Sequence, residues 1–144
     1  MSRKLKMTAK QFFRQCRREI KEYQYMRERL EWLRGTLLPM AIRYKPIDVQ
    51  SSGAGDQMAE IVPEIALLER TIAEYVEVLA AHQHRAEQII SRIERPEYRL
   101  LLRLYYLHDP LLTWAEVAAR MNYSEDAVKH MHGYALIAAH IDTK

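Results

Sequence analysis

From Met58 to Ile93 the chain carries a stripe whose steps alternate three and four without a break: Met58, Ile61, Ile65, Leu68, Ile72, Tyr75, Leu79, His82, Ala86, Ile89 and Ile93. A repeat of seven over about five heptads stays on one side of a helix only if that helix is slightly underwound, which is the condition for a left-handed coiled coil. The stripe therefore predicts one long helix over about 56–95, with its apolar seam buried against another helix. Pro63 lies near its beginning, so the regular helix starts at Glu64 or kinks there. At the far end, Pro96 disfavours helix at Arg95 and suits the first position of a new helix.

A partner for the seam is present upstream. Thr8-Ala-Lys-Gln11 has the spacing of a capping box, and the apolar residues Phe13, Cys16, Ile20, Tyr23, Met26, Leu30, Leu33 and Leu37 follow at helical intervals with one irregular step at Met26. This predicts a helix over about 8–38, ending before Pro39. Residues 39–56 hold Pro39, Pro46, Ser51, Ser52, Gly53 and Gly55 and read as a linker. An antiparallel hairpin of the two helices would cover the seam within one chain, and two hairpins pairing as a homodimer would cover it as well.

The last third, 96–144, has different punctuation. In Thr113-Trp-Ala-Glu116 the threonine hydroxyl can accept from a backbone N–H one turn on while Glu116 reaches back to the N–H of the cap, so a helix starts there. Val117, Ala118 and Met121 form its apolar face, and Asn122, tolerant of a left-handed backbone, ends it after about two turns. Ser124 caps the next helix, whose first turn carries Glu125 and Asp126 at the positive end of the dipole. Short capped helices occur in any small helical domain. Two caps separated only by Asn122-Tyr123-Ser124, after an apolar helix able to complete a three-helix core, are the pattern of a helix-turn-helix. The second helix would then offer Glu125, Asp126, Lys129 and His130 to base edges, with Val128, Met131 and Leu136 turned to the core. Thr113, at the head of the first helix, joins the expected DNA-contacting set.

Charge is unevenly distributed. The net is +9 over residues 1–45, −5 over 46–95 and −1 over 96–144, which together make the total of +3. Neutralising phosphates supplies most non-specific affinity for DNA, so the C-terminal module alone should bind weakly. The cations lie on the first helix instead. Arg3, Lys4, Lys6, Lys10, Arg14, Arg17, Arg18 and Lys21 can grip phosphates beside the bases being read, or the basic helix can pair with the acidic one along the hairpin. The free-end set Lys4, Lys6, Lys10, Arg14 and Arg17 suits phosphates, and Arg27, Arg29 and Arg34 suit pairing.

Enzymatic chemistry finds little support. His82 and His84 are two apart, as are His130 and His132, so neither pair shares a helix face in the way a metal site at i and i+4 requires. His82, on the seam, reads as a polar core position that tunes register. The single Cys16 excludes an internal disulfide, fits a reducing compartment and lies on an apolar face without an activating neighbour. The glycines form no phosphate-cradling loop, and Tyr23, Tyr25, Trp32, Tyr105, Tyr106 and Trp114 sit at spacings that suit packing. Neither a signal sequence nor a membrane span is visible, so a cytoplasmic protein without metal or cofactor is expected.

The ordered set PEYRLLLRLYYL, TWAEVAARMNYSEDAVKHMHGYAL, together with the MTAKQFFRQCRREI start and the Ser/Gly-bearing break, resembles the ArpU/RinA-like phage transcriptional regulators along the whole chain. Their C-terminal module is similar to the domain of sigma factors that reads the minus-35 promoter element. The resemblance implies an all-α protein, a long helical hairpin or coiled coil followed by a three-helix helix-turn-helix. It implies a regulator of phage or prophage genes in a bacterial host, with readout at Ser124, Glu125, Asp126, Lys129 and His130, and with double-stranded DNA and RNA polymerase as partners. Two other readings fit the same elements. One is a packaging protein of the small-terminase kind; the other is a coiled-coil interaction protein that binds RNA polymerase and no DNA.

Overall fold

The computed structural model describes residues 7–43 and 52–140, the side chains of 52–54 excepted. The protein is all-α, with two long helices packed together and three shorter ones after them. The long helices are α1, Ala9–Arg43, and α2, Ser52–Ser91. Helix α3, Pro96–Leu102, runs into a π-helical turn, Arg103–Leu107; α4 spans Trp114–Met121 and α5 spans Glu125–Ala138.

Helix α1 begins with the expected capping box: the Gln11 amide donates to Thr8 Oγ1 at 3.2 Å and the Thr8 amide donates to Gln11 Oε1 at 2.9 Å. Both long helices are longer at the linker than the sequence predicts. Helix α1 passes through Pro39 to Arg43, and α2 starts at Ser52, so of the expected 39–56 linker only 44–51 remains, and it lies outside the described residues. The prolines do not end their helices for a common reason. Pro39 and Pro63 each remove one backbone bond, to the carbonyls of Gly35 and Ala59, and both of those residues are exposed, so water can take the place of the lost donor. Extending an existing helix over Gly53 and Gly55 costs about 1 kcal/mol per glycine relative to alanine, and it needs no new nucleus.

At its other end α2 stops at Ser91, four residues before the expected boundary. The chain tightens there, with the Ile93 amide donating to the Ile90 carbonyl at 3.0 Å. Arg99, from α3, donates to the carbonyls of Ile93 and Glu94 at 2.6 and 2.9 Å, so a cation satisfies acceptors that the helix end leaves open.

The heptad seam is where the side chains go under. Ile65, Leu79, Ala86, Ile89 and Ile93 are buried, and Met58, Ile61, Leu68, Ile72, Tyr75 and His82 are half-buried. The chain forms two compact units, residues 22–77 and residues 1–21 with 78–144. In the first, Leu30, Leu33 and Ile65 form a small core flanked by Leu37, Ile61, Leu68 and Ile72. Ion pairs edge it, Arg29 to Glu64 at 2.8 Å and Arg34 to Glu69 at 3.2 Å. Both pairs are about half exposed, so each adds roughly 0–1 kcal/mol.

In the second unit Phe13 and Cys16 of α1 and Ala86, Ile89, Ile90 and Ile93 of α2 share one core with Leu101, Leu102, Tyr106, Leu112, Val117, Ala118, Met121, Val128, Ala135 and Ala139. The line that the sequence suggests after residue 95 thus runs through a common core, because three short helices leave an apolar side that the ends of α1 and α2 cover. His82 is held at its edge, with Nδ1 2.6 Å from a Glu19 carboxylate oxygen. Cys16 is an inert core thiol, its pKa pushed up to about 12 by burial and by the charge of Glu19.

Phe13→Ala and Leu33→Ala should each lower stability, by about 3–5 and 2–5 kcal/mol respectively, whereas Leu67→Ala, on an exposed position, should stay within about 0.5 kcal/mol of wild type. Urea unfolding followed by helicity measures all three, and equal midpoints would show that Phe13 and Leu33 do not lie on the buried face of α1.

Candidate nucleic-acid interface

The helix-turn-helix is built by its caps. Thr113 has extended backbone; its Oγ1 accepts from the Glu116 amide at 3.2 Å and its own amide donates to Glu116 Oε1 at 3.1 Å. Those hydrogen bonds, from the Thr113 backbone first and its hydroxyl second, hold the Glu116 carboxyl below the usual carboxylate range. Helix α4 then ends on Asn122, at φ 61°, the left-handed conformation that asparagine tolerates. The Tyr123 amide reaches back to the Ala118 carbonyl at 3.1 Å and the Asn122 amide to Ala119 at 3.4 Å, a Schellman ending that turns the chain sharply. Ser124 starts α5, its Oγ accepting from the Ala127 amide at 3.1 Å. Val117, Ala118 and Met121 of α4 and Val128 of α5 are buried, and Met131 and Leu136 pack against the same core.

What α5 leaves outside is the candidate reading face. Glu125, Asp126, Lys129 and His130 are all exposed, as the helix period requires. Two of them are engaged with each other: Lys129 Nζ lies 3.2 Å from Glu125 Oε1, one turn apart. His130 meets the edge of Tyr134, ring centres 5.3 Å apart. Tyr134 and Ile137 extend the same exposed face, and the signal that marks them is their i+4 and i+7 spacing from His130. Between them Gly133 has nothing within 4 Å of a would-be β-carbon, so the helix surface is low at its middle and another backbone can approach it closely. Thr113 and Ser124 are exposed as well, with their hydroxyls committed to the caps.

The basic residues of α1 fall differently. Lys4 and Lys6, with Arg3, lie outside the described residues. Lys10 and Arg14 are exposed. Arg17 is not a free phosphate ligand: its guanidinium donates to the carbonyl of Tyr105, donates to that of Leu112 at 2.9 Å, and lies 3.9 Å over the Tyr105 ring. It ties the two ends of the α3–α4 connection to α1. The sequence places Arg17 on the solvated basic face because its acceptors are main-chain carbonyls, which have no sequence signature. Its position four residues after Phe13 and next to Cys16 is the available hint.

A polar pair lies beneath. The Tyr106 hydroxyl is 2.5 Å from His132 Nε2. Burial and the neighbouring Tyr105 push the Tyr106 pKa up to about 12, while burial, then Lys10 and Arg14, push that of His132 down to about 4. The hydroxyl therefore keeps its proton and donates, and His132 is neutral with its own proton on Nδ1.

Among the described residues no cluster of His, Cys, Asp and Glu could hold a metal ion, and no helix is long and apolar enough to cross a membrane. Comparison with protein-family models, with curated proteins and with solved structures gives no match.

Arg17→Gln should cost about 1.5–3 kcal/mol for each charged hydrogen bond it loses, against less than about 0.5 kcal/mol for Arg14→Gln; thermal unfolding of the pair of variants checks this. A second expectation concerns pH. Because His132 binds its proton less readily folded than unfolded, stability should fall as pH drops from about 6.5 towards 4. His132→Gln should flatten the fall in that window, and an unchanged profile would mean that the imidazole is already solvated.

Proposed function

We propose that this chain is a sequence-specific DNA-binding transcriptional regulator of phage or prophage genes, reading double-stranded DNA with α5. The observation that carries the reading is the α4–α5 pair: two capped helices joined through a left-handed Asn122 and a Schellman ending, the second presenting its first two turns to solvent. The phage context rests on the resemblance of the ordered motifs to the ArpU/RinA-like regulators.

The chemistry of the face sets the kind of contact. Asp126 and Glu125 accept hydrogen bonds and suit the amino group of cytosine, whereas Lys129 and His130 donate and suit guanine. With acidic and basic groups mixed, the module gains little from phosphate neutralisation, so its affinity comes from base contacts and from additional subunits or partners. Trp32, Leu38 and Ile42 on α1 and Val62 and Leu67 on α2 are apolar and exposed in the 22–77 unit, which supports self-association through the hairpin. RNA polymerase is the other partner that would add contacts, as the likeness to the sigma module implies.

Selection of bound fragments from random DNA, with light scattering on the same sample, tests the reading. It should enrich a defined sequence, and the variant carrying Asp126→Ala with His130→Ala should bind the selected site less tightly, by about 1–3 kcal/mol for each well-formed base-edge interaction removed, with helicity unchanged. Absence of any enriched sequence, or equal binding by the variant, overturns it.

A further inference from the structure

Between α1, the turn after α3 and α5 the structure holds a pocket of about 490 Å³ within the unit that contains the helix-turn-helix. One wall is α1, which contributes Arg14, Arg17, Arg18 and Lys21. These stand at i, i+3, i+4 and i+7, one face of a helix, and like charges at such spacing repel one another. The lining contains no carboxylate. Among the described residues no ion pair joins Arg14, Arg17 or Arg18 to an acidic side chain.

The rest of the lining is largely aromatic. Tyr105 and Trp114 stack with ring centres 3.8 Å apart and planes 10° apart, and Arg17 covers the Tyr105 ring, so a sandwich of three planar groups is held in place before any ligand arrives. The floor carries the Tyr106–His132 pair, in which the hydroxyl proton is already donated to a neutral imidazole.

We propose that this pocket binds a small anion bearing a planar ring, of the size and chemistry of a mononucleotide. The guanidinium groups of Arg14 and Arg18, one turn apart, match phosphate oxygens in a forked geometry, and a ring finds Trp114 and Leu111 in the same lining. The volume falls within the roughly 300–1,000 Å³ of small-molecule sites. The proposed occupant is a free small molecule, and its binding here does not depend on DNA being read by α5.

The test uses the full chain carrying Trp32→Phe, which leaves Trp114 as the sole tryptophan. AMP and GMP are titrated against its emission in the absence of DNA, with guanosine and inorganic phosphate in parallel. The expected result is a saturable change with at least one nucleotide, about tenfold or more tighter than with guanosine or phosphate, and weakened about tenfold or more by Arg14→Gln with Arg18→Gln. Helicity and melting of that variant should match its parent, because both arginines are exposed. No saturable change with either nucleotide, phosphate binding as well as the nucleotides, or nucleotide binding unaffected by the two substitutions overturns the proposal. So does displacement of the nucleotide by duplex DNA together with a lower salt slope in the variant, which would make the cations phosphate contacts of DNA.

Discussion

The three short helices of the C-terminal module leave one side of their apolar core open, and what is distinctive in this part of the protein depends on how that side is closed. Phe13 and Cys16 near the start of α1, with Ala86, Ile89, Ile90 and Ile93 near the end of α2, supply the missing wall for Leu101, Tyr106, Val117 and Val128. Burial of these side chains, each worth about 1.5–3 kcal/mol for a large aliphatic or aromatic group, fixes α1 beside the module. Arg17 then fastens the α3–α4 connection through two carbonyls. Helix α5, the proposed reading helix, is thus positioned by residues far away in the chain, and the basic face near the start of α1 is brought against aromatic residues that follow α3.

The division of charge acquires a different meaning once the packing is known. Further along α1 the cations do what an acidic partner helix invites: Arg29 and Arg34 pair with Glu64 and Glu69, exposed contacts that steer register more than they stabilise. Near the start of α1 the same residue type serves a structural tie at Arg17 and lines the proposed anion pocket at Arg14 and Arg18. Two roles for one stretch of positive charge follow from what each segment faces, an acidic helix in one unit and a turn rich in tyrosine in the other.

The mixed signs on α5 complete this picture. Its exposed turn pairs Lys129 with Glu125, so a partner must compete with an internal contact of only a few tenths of a kcal/mol. In the proposed function such a surface would discriminate by matched hydrogen bonds and gain little from attraction to charge alone. The proposed dependence on a second subunit or on RNA polymerase has this physical origin.

Periodicity and capping are local, and they are legible along the chain. The alternation of three and four from Met58 to Ile93 determined which face of α2 is buried, and Thr113, Glu116, Asn122 and Ser124 determined where α4 and α5 begin and turn, because each signal involves residues within about two turns of one another. The helix ends at Pro39 and Ser52 depart from the sequence expectation, since whether a proline or glycine stops a helix depends on the solvation and the packing of its neighbours. The tie made by Arg17, the neutral His132 beneath Tyr106, and the pocket between cations and stacked rings were decided only in three dimensions. Their partners are main-chain carbonyls and side chains brought together by a shared core, and contacts of that kind leave no pattern along the chain.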